Sequence, residues 1–191
     1  MIKCQGLAHI NIVVDDINTA ISFYQEALGM ELLRLYPNFK NTGFAKSAGF
    51  IEDAEKVNLD MAILKINTTS QPIFIELMQY HYPQSDDYRN IGNTNDVAGV
   101  RHIALTVENI EQAFRYLQTI PDVSMITDHP KYQPYQLSPI HPENFLICND
   151  SQKENNLAEK RKICDAVTHI KYFYFLDPYG VQWELEQAEA I

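Results

Sequence analysis

The chain has 191 residues, 46 % hydrophobic and 21 % charged, which excludes a largely disordered polypeptide and gives room for one compact domain or two half-size modules. Lys and Arg number 15 against 25 Asp and Glu, a net charge of −10, which excludes the basic footprint of a nucleic-acid or polybasic membrane binder. No run of about 18 apolar residues spans a bilayer, the N-terminus shows no signal-peptide core, and Cys4, Cys148 and Cys164 read as reduced thiols of a cytoplasmic protein.

The first predicted element is a strand over 7–14, with Ala8, Ile10, Ile12 and Val14 on one face and Leu7, His9 and Asn11 on the other. A helix follows. Asp16 is its N-cap, Ile17, Ala20, Ile21, Tyr24 and Leu28 are its apolar stripe, and Gly29 is its stop. Strand-like runs come next at 30–35, 59–66 and 72–79, and a linker rich in Asn, Asp and Pro follows at 81–98.

The pattern then begins again. Gly6–Ile17 lies without gaps over Gly99–Ile110, shifted by 93 positions (9 to 102), and Ile75–Gln79 lies over Trp183–Gln187, shifted by 108 (76 to 184). The second half, 99–191, therefore holds about fifteen more residues between its first and last strands than the first half, 1–80. Its strand over 100–107 puts His102, Ala104 and Thr106 opposite Ile103, Leu105 and Val107. Asn109 caps a helix striped by Ile110, Ala113, Phe114 and Leu117, with Gln112 at the capping-box position and Pro121 at its end. Strands are predicted at 123–127, 171–176 and 181–187, the last two joined by the Asp177-Pro178-Tyr179-Gly180 turn. The excess falls in an insertion at about 128–168, with four prolines and a charge-balanced polar stretch over 150–165 that reads as a solvated helix around Lys160-Arg161-Lys162. Loops this long are lids, binding loops or disordered. The expectation is that part of 130–147, with Tyr132, Tyr135 and Phe145, covers an active-site cleft.

The repeat places a histidine on the first strand of each half and a glutamate on the last. Alternation sets Glu76 beside Phe74 and Met78, opposite Ile73, Ile75 and Leu77. A carboxylate projecting from a sheet needs water, a partner or a metal, because burying an unpaired charge is costly. If the halves pair about a pseudo-twofold axis, His9, Glu76, His102 and Glu184 give two nitrogens and two oxygens around one point. That set suits a divalent Zn, Ni, Co, Fe or Mn ion, with water completing the shell. His81, His129, His141 and His169 read as surface or structural residues, and no phosphate loop or nucleophile elbow is present.

Gly6-Leu7-Ala8-His9-Ile10, Ser22–Arg34, Ile75-Glu76-Leu77, Gly99–Ala104 and Phe175–Gly180 with Glu184-Leu185 resemble the vicinal oxygen chelate superfamily, the glyoxalase I, bleomycin-resistance and extradiol dioxygenase group. The resemblance covers about 5–80 and 98–188. It implies an α+β fold of two tandem βαβββ modules forming a cupped, barrel-like mixed sheet with helices outside. It also implies a metal held by His9, Glu76, His102 and Glu184, with Glu184 the first candidate for the catalytic base and Glu76 the second.

The activity so implied is a metal-dependent isomerase or lyase of glyoxalase type, acting through an enediolate on a small substrate with two vicinal oxygens. Alternatives are an acyl-CoA epimerase or dioxygenase of the same superfamily, or a non-catalytic, resistance-type binder of small molecules. A fourth protein ligand at Glu76 argues against the dioxygenase, and retained ligands argue against the binder. Candidate substrate contacts are Phe74, Met78, Arg34, Tyr132 and Tyr135. Arg34, Lys40, Lys46, Arg89 and Arg101 are candidates for an anionic thiol carrier. The expected partner is a small-molecule substrate, with no nucleic acid and no membrane. A homodimer is left open, as is pairing of modules within or between chains.

Overall fold

The computed structural model describes residues 7–68, 71–84, 100 and 102–187, and the chain divides into two compact units, Met1–Arg89 and Asn90–Ile191. The class is α+β, with one mixed sheet in each unit.

The first unit runs β1 (Ile10–Val13), α1 (Ile17–Leu28), β2 (Glu31–Phe39), α2 (Thr42–Ser47), β3 (Asn58–Ile66) and β4 (Ile73–Tyr82). Its sheet order is β1-β4-β3-β2, with β1 parallel to β4 and the other pairs antiparallel. Helix α1 starts where the sequence says it should, because the Asp16 carboxylate accepts the Thr19 amide at 2.7 Å. It ends at Gly29, whose φ of 62° is left-handed and cheap only without a Cβ. Ile17, Ala20, Ile21 and Tyr24 are buried, the stripe that docks α1 on β3 and β4. The sheet face beneath carries Ala62, Leu64, Ile75 and Leu77, all fully buried.

Helix α2 was not legible as an element. It lies on the opposite face of the sheet from α1, where Ala45, Ala54 and Val57 pack on Leu59, Met61 and Met78, with Phe39, Phe44 and Phe50 around them. The small side chains at 45 and 54 let this segment close on the strands. Helix α2 thus covers part of the face that carries Glu76. Strand β4 also outlasts its prediction. Tyr82 pairs with Asn58, so His81 and Tyr82, predicted as linker, are strand, and 85–98 lie outside the described residues.

The second unit runs β5 (Ile103–Thr106), α3 (Ile110–Leu117), β6 (Ser124–Met125), β7 (Tyr135–Gln136), a 3-10 turn (Pro142–Asn144), α4 (Ser151–Glu154), α5 (Leu157–Thr168), β8 (Lys171–Leu176) and β9 (Gln182–Gln187). Its order, β5-β9-β8-β6, repeats that of the first unit, and β7 pairs with β8 alongside β6. The long β2 of the first unit is thus matched by two short pieces. β6 pairs with Phe175 and Leu176, and β7 pairs with Lys171 and Tyr172.

The connection before the last two strands is residues 40–57 in the first unit and 137–170 in the second. The extra length sits there, and 128–136, assigned from sequence to the insertion, belongs to the sheet edge. The excursion has its own anchor. Lys160 is buried, not solvated as the charge run suggested. Its Nζ donates to the Phe145 carbonyl at 2.8 Å and to Glu154 at 3.0 Å, and lies 4.8 Å over the Phe145 ring. Glu154 accepts the Ile147 amide at 2.6 Å, and that bond, with Lys160 beside it, holds its carboxyl below the usual range.

Two further side chains repeat. Gln79 Oε1 accepts the Ile17 amide at 3.0 Å, and Gln187 Oε1 accepts the Ile110 amide at 2.8 Å. The last strand of each unit therefore satisfies one of the orphan amides at the start of that unit's first helix. No helix among the described residues is long and apolar enough to cross a membrane.

The β8–β9 turn is held by Asp177, 3 % exposed. One carboxylate oxygen accepts the Tyr179 and Val181 amides, and the other accepts the Trp183 indole N–H, each at 2.9 Å. Asp177→Ala leaves these donors without that acceptor, at about 1–3 kcal/mol for each buried group. Chemical denaturation is expected to show a loss of at least about 3 kcal/mol; a loss under about 1 kcal/mol would contradict this assignment.

Candidate metal centre

In the first unit, parallel pairing sets Asn11 opposite Glu76, and His9 stands two residues before Asn11 on the same face. His9 Nε2 lies 3.4 Å from Glu76 Oε2. In the second unit Ala104 is opposite Glu184, His102 stands two residues before Ala104, and its Nε2 lies 3.2 Å from Glu184 Oε2. The two contacts are the same contact built twice.

Burial decides what these pairs must do. The Glu76 and Glu184 side chains are 12 % and 13 % exposed, while their histidines are 47 % and 40 % exposed. A carboxylate so enclosed costs several kcal/mol unless donors or a cation compensate. Glu76 has a second neighbour besides its histidine: Asn11 Nδ2 donates to Glu76 Oε2 at 3.2 Å. Tyr174 is the cross-strand partner of Glu184 and lies edge-on to His102, ring centroids 5.4 Å apart. Burial, then Glu184 beside it, push its hydroxyl well above the usual phenol range.

The donor chemistry fits a divalent ion. Two ligand atoms each about 2.0–2.2 Å from one ion stand about 2.8–3.6 Å from each other, between octahedral and tetrahedral angles. The separations of 3.4 and 3.2 Å in the two pairs fall within that span. Within each unit, among the described residues, no third His, Cys, Asp or Glu joins the pair. Each unit offers one nitrogen and one carboxylate.

The predicted substrate contacts divide. Phe74 is half-buried on the Glu76 face. Arg34 reaches the same face because β2 bulges at Leu33, so that Arg34 opposes Ile63, which opposes Glu76. Met78 is on that face but packed into the α2 core, 6 % exposed. Tyr132 and Tyr135 sit at the β8 edge with committed hydroxyls. Tyr135 donates to the Lys131 carbonyl at 2.7 Å. Tyr132 accepts the Tyr174 amide at 2.7 Å and reaches the Tyr174 carbonyl at 3.2 Å, filling the gap between β6 and β7. Its ring faces Phe114 of α3 and borders a cleft of ≈ 360 Å³ there. Lys40 and Lys46 flank and belong to α2; Arg89 and Arg101 lie outside the described residues.

The remaining histidines have structural jobs. His81 Nε2 is 3.1 Å from Asp60, His129 accepts the Lys131 amide, His141 precedes the 3-10 turn and His169 contacts the Asp165 carbonyl. Two residues beside these pairs escaped the sequence reading. Asn11 carried a signal, two residues after His9 on its face. Tyr174 emerges only by counting back across the Asp177 turn to the partner of Glu184.

The family model of the Glyoxalase/Bleomycin resistance protein/Dioxygenase superfamily matches residues 6–120, over half of the chain, and the protein belongs to that superfamily. Solved structures with the same fold include a glyoxalase family protein from Bacillus cereus, with 16 % identity and TM-score 0.65 over 98 % of this chain and 97 % of that one. A glyoxylase/bleomycin resistance protein/dioxygenase domain from Frankia sp. EAN1pec has 11 % identity and TM-score 0.54 over 98 % and 94 %. A glyoxalase I mutant from Zea mays has 16 % identity and TM-score 0.52 over 93 % of this chain and 43 % of that one. No curated protein matches the chain.

Removing the Tyr132 hydroxyl strands the Tyr174 amide at the sheet edge, while the Tyr174 carbonyl keeps the Ile126 amide at 3.2 Å. Tyr132→Phe is expected to cost about 1–3 kcal/mol and to speed amide exchange at Tyr174 selectively. Unchanged exchange there would show that the hydroxyl does not bridge the two strand pieces.

Proposed function

We propose that the two His–Glu pairs are halves of one divalent-metal site, with His9, Glu76, His102 and Glu184 as its protein ligands. On this reading the protein is an isomerase or lyase of glyoxalase type. The observation that carries it is the repetition of one His–Glu contact, at 3.4 and 3.2 Å, in two units built on the same strand order. Superfamily membership supports it. The metal is drawn from Zn, Ni, Co, Fe and Mn, the ions that mixed imidazole and carboxylate donors suit.

An ion held by His9, Glu76, His102 and Glu184 would supply Lewis acidity that makes a carbon-bound proton of the substrate easier to remove. The chain's residues do the rest. His9 and His102 hold their nitrogens in place from the starts of β1 and β5. Glu184 is the base: it takes the proton from the carbon bearing one oxygen and returns it to the adjacent carbon, ending as it began. Glu76 is the second candidate for that role. Arg34, on the Glu76 face, is available to an anionic group of the substrate. An acyl-thioester epimerase would use the same proton transfer at a single carbon, so the substrate distinguishes the two reactions.

Elemental analysis of protein purified without chelator is expected to give one divalent ion per chain, falling well below that in His9→Ala and in His102→Ala while circular dichroism stays unchanged. Glu184→Gln is expected to lower kcat by about 10²–10⁴-fold on the true substrate, sought first with methylglyoxal–glutathione hemithioacetal and then with an acyl-CoA. Stoichiometric metal in both histidine variants would overturn the site. Turnover of neither substrate by metal-loaded protein would overturn the reaction.

A further inference from the structure

Alternation puts Gln182, Glu184 and Glu186 of β9 on one face of the second sheet, the face of the candidate metal pair. Glu184 contacts His102, and Glu186 accepts the Thr106 hydroxyl at 3.3 Å. Gln182 is different. It is 5 % exposed, and its Nε2 is buried without a hydrogen-bond partner among the described residues. The register that sets Ile103 opposite Trp183 sets Gln182 beside His102, and Leu176 of β8 is its neighbour on the other side.

A buried donor without an acceptor is destabilising and uncommon in folded chains. Gln182 cannot escape that cost by shifting its backbone, because both neighbours are pinned. Asp177 accepts the Val181 amide and the Trp183 indole N–H, each at 2.9 Å. The repeat shows that the strand does not need an amide there. Shifted by 108 (74 to 182), the same position in the first unit is Phe74, two residues before Glu76 and on its face. Gln79 and Gln187, by contrast, keep both residue type and bond in the two units. Gln182 is therefore a donor that the fold tolerates and does not use, two residues or about 7 Å along β9 from Glu184. A glutamine amide turns readily about its last torsion, so an acceptor arriving beside Glu184 and His102 can meet Nε2.

We infer that Gln182 is a substrate-binding residue whose Nε2 donates to an oxygen of the substrate beyond its two vicinal ones. The inference rests on the metal-site reading above and narrows the substrate class. The substrate carries two vicinal oxygens and, a few carbons away, a third oxygen acceptor.

Two probes differ only at that third acceptor. 2-Hydroxyglutarate and 2-hydroxypentanoate both carry a hydroxyl next to a carboxylate, and the first has a distal carboxylate where the second has a methyl group. Each is titrated by calorimetry into the full chain loaded with cobalt(II), and the wild type is expected to bind 2-hydroxyglutarate more tightly. Gln182→Met and Gln182→Leu keep the bulk and lose the donor. Each is expected to weaken 2-hydroxyglutarate by about 10–100-fold, as loss of a hydrogen bond to a charged acceptor does, and to leave 2-hydroxypentanoate unchanged. The denaturation midpoint of the metal-free variants is expected to stay the same or rise, because an unpaired donor has left the interior. A lower midpoint in both variants would show that the amide serves the fold, and overturns the inference. So does a wild type with no preference between the probes, or a preference that survives in both variants. A wild-type chain that takes up no cobalt(II) overturns the metal-site reading itself, and the inference with it.

Discussion

A largely covered carboxylate on the last strand of each unit constrains the strands around it. Glu76 and Glu184 are nearly enclosed, and a charge in that position is tolerated only where the surrounding strands supply donors in the right register. The parallel pairings β1·β4 and β5·β9 meet that demand by setting the histidine diagonally across from the glutamate. A slip of one residue in either pairing would turn His9 or His102 to the face on which α1 or α3 packs and leave its glutamate without that neighbour.

The same strands also govern the helices. Gln79 and Gln187 follow their glutamates by three residues, face the other side of the sheet, and bond the first amides of α1 and α3. One strand in each unit therefore carries both the helix-start bond and the candidate ligand, and the second stretch of internal similarity runs through the glutamine as well as the glutamate. Asp177 reinforces this in the second unit. It bonds the Trp183 indole, next to Glu184, and so ties the β8–β9 turn to the strand that carries the carboxylate.

Features written in local chemistry were legible in the sequence. The α1 caps at Asp16 and Gly29, the Asp177 turn, the βαβββ order and the four candidate ligands all follow from residue type, periodicity or the repeat. Features that depend on non-local pairing were not. Helix α2 has no periodic stripe, because two alanines and three phenylalanines close it over β3 and β4. The side chain of Arg34 takes its direction from a bulge at Leu33 that plain alternation does not foresee. Tyr132 looked like a pocket aromatic because nothing local reveals that its hydroxyl completes a broken sheet edge. Lys160 looked solvated within a run of charges, yet Glu154 and the Phe145 carbonyl enclose it.

Manganese(II) titration followed by the histidine ring signals in NMR addresses the central claim, that the two pairs serve one ion. If they do, the His9 and His102 resonances broaden together and completely with one equivalent of metal, while His81, His129 and His141 persist. Broadening of His9 and His102 at separate equivalents, or of one without the other, would show two unrelated His–Glu pairs and contradict the account.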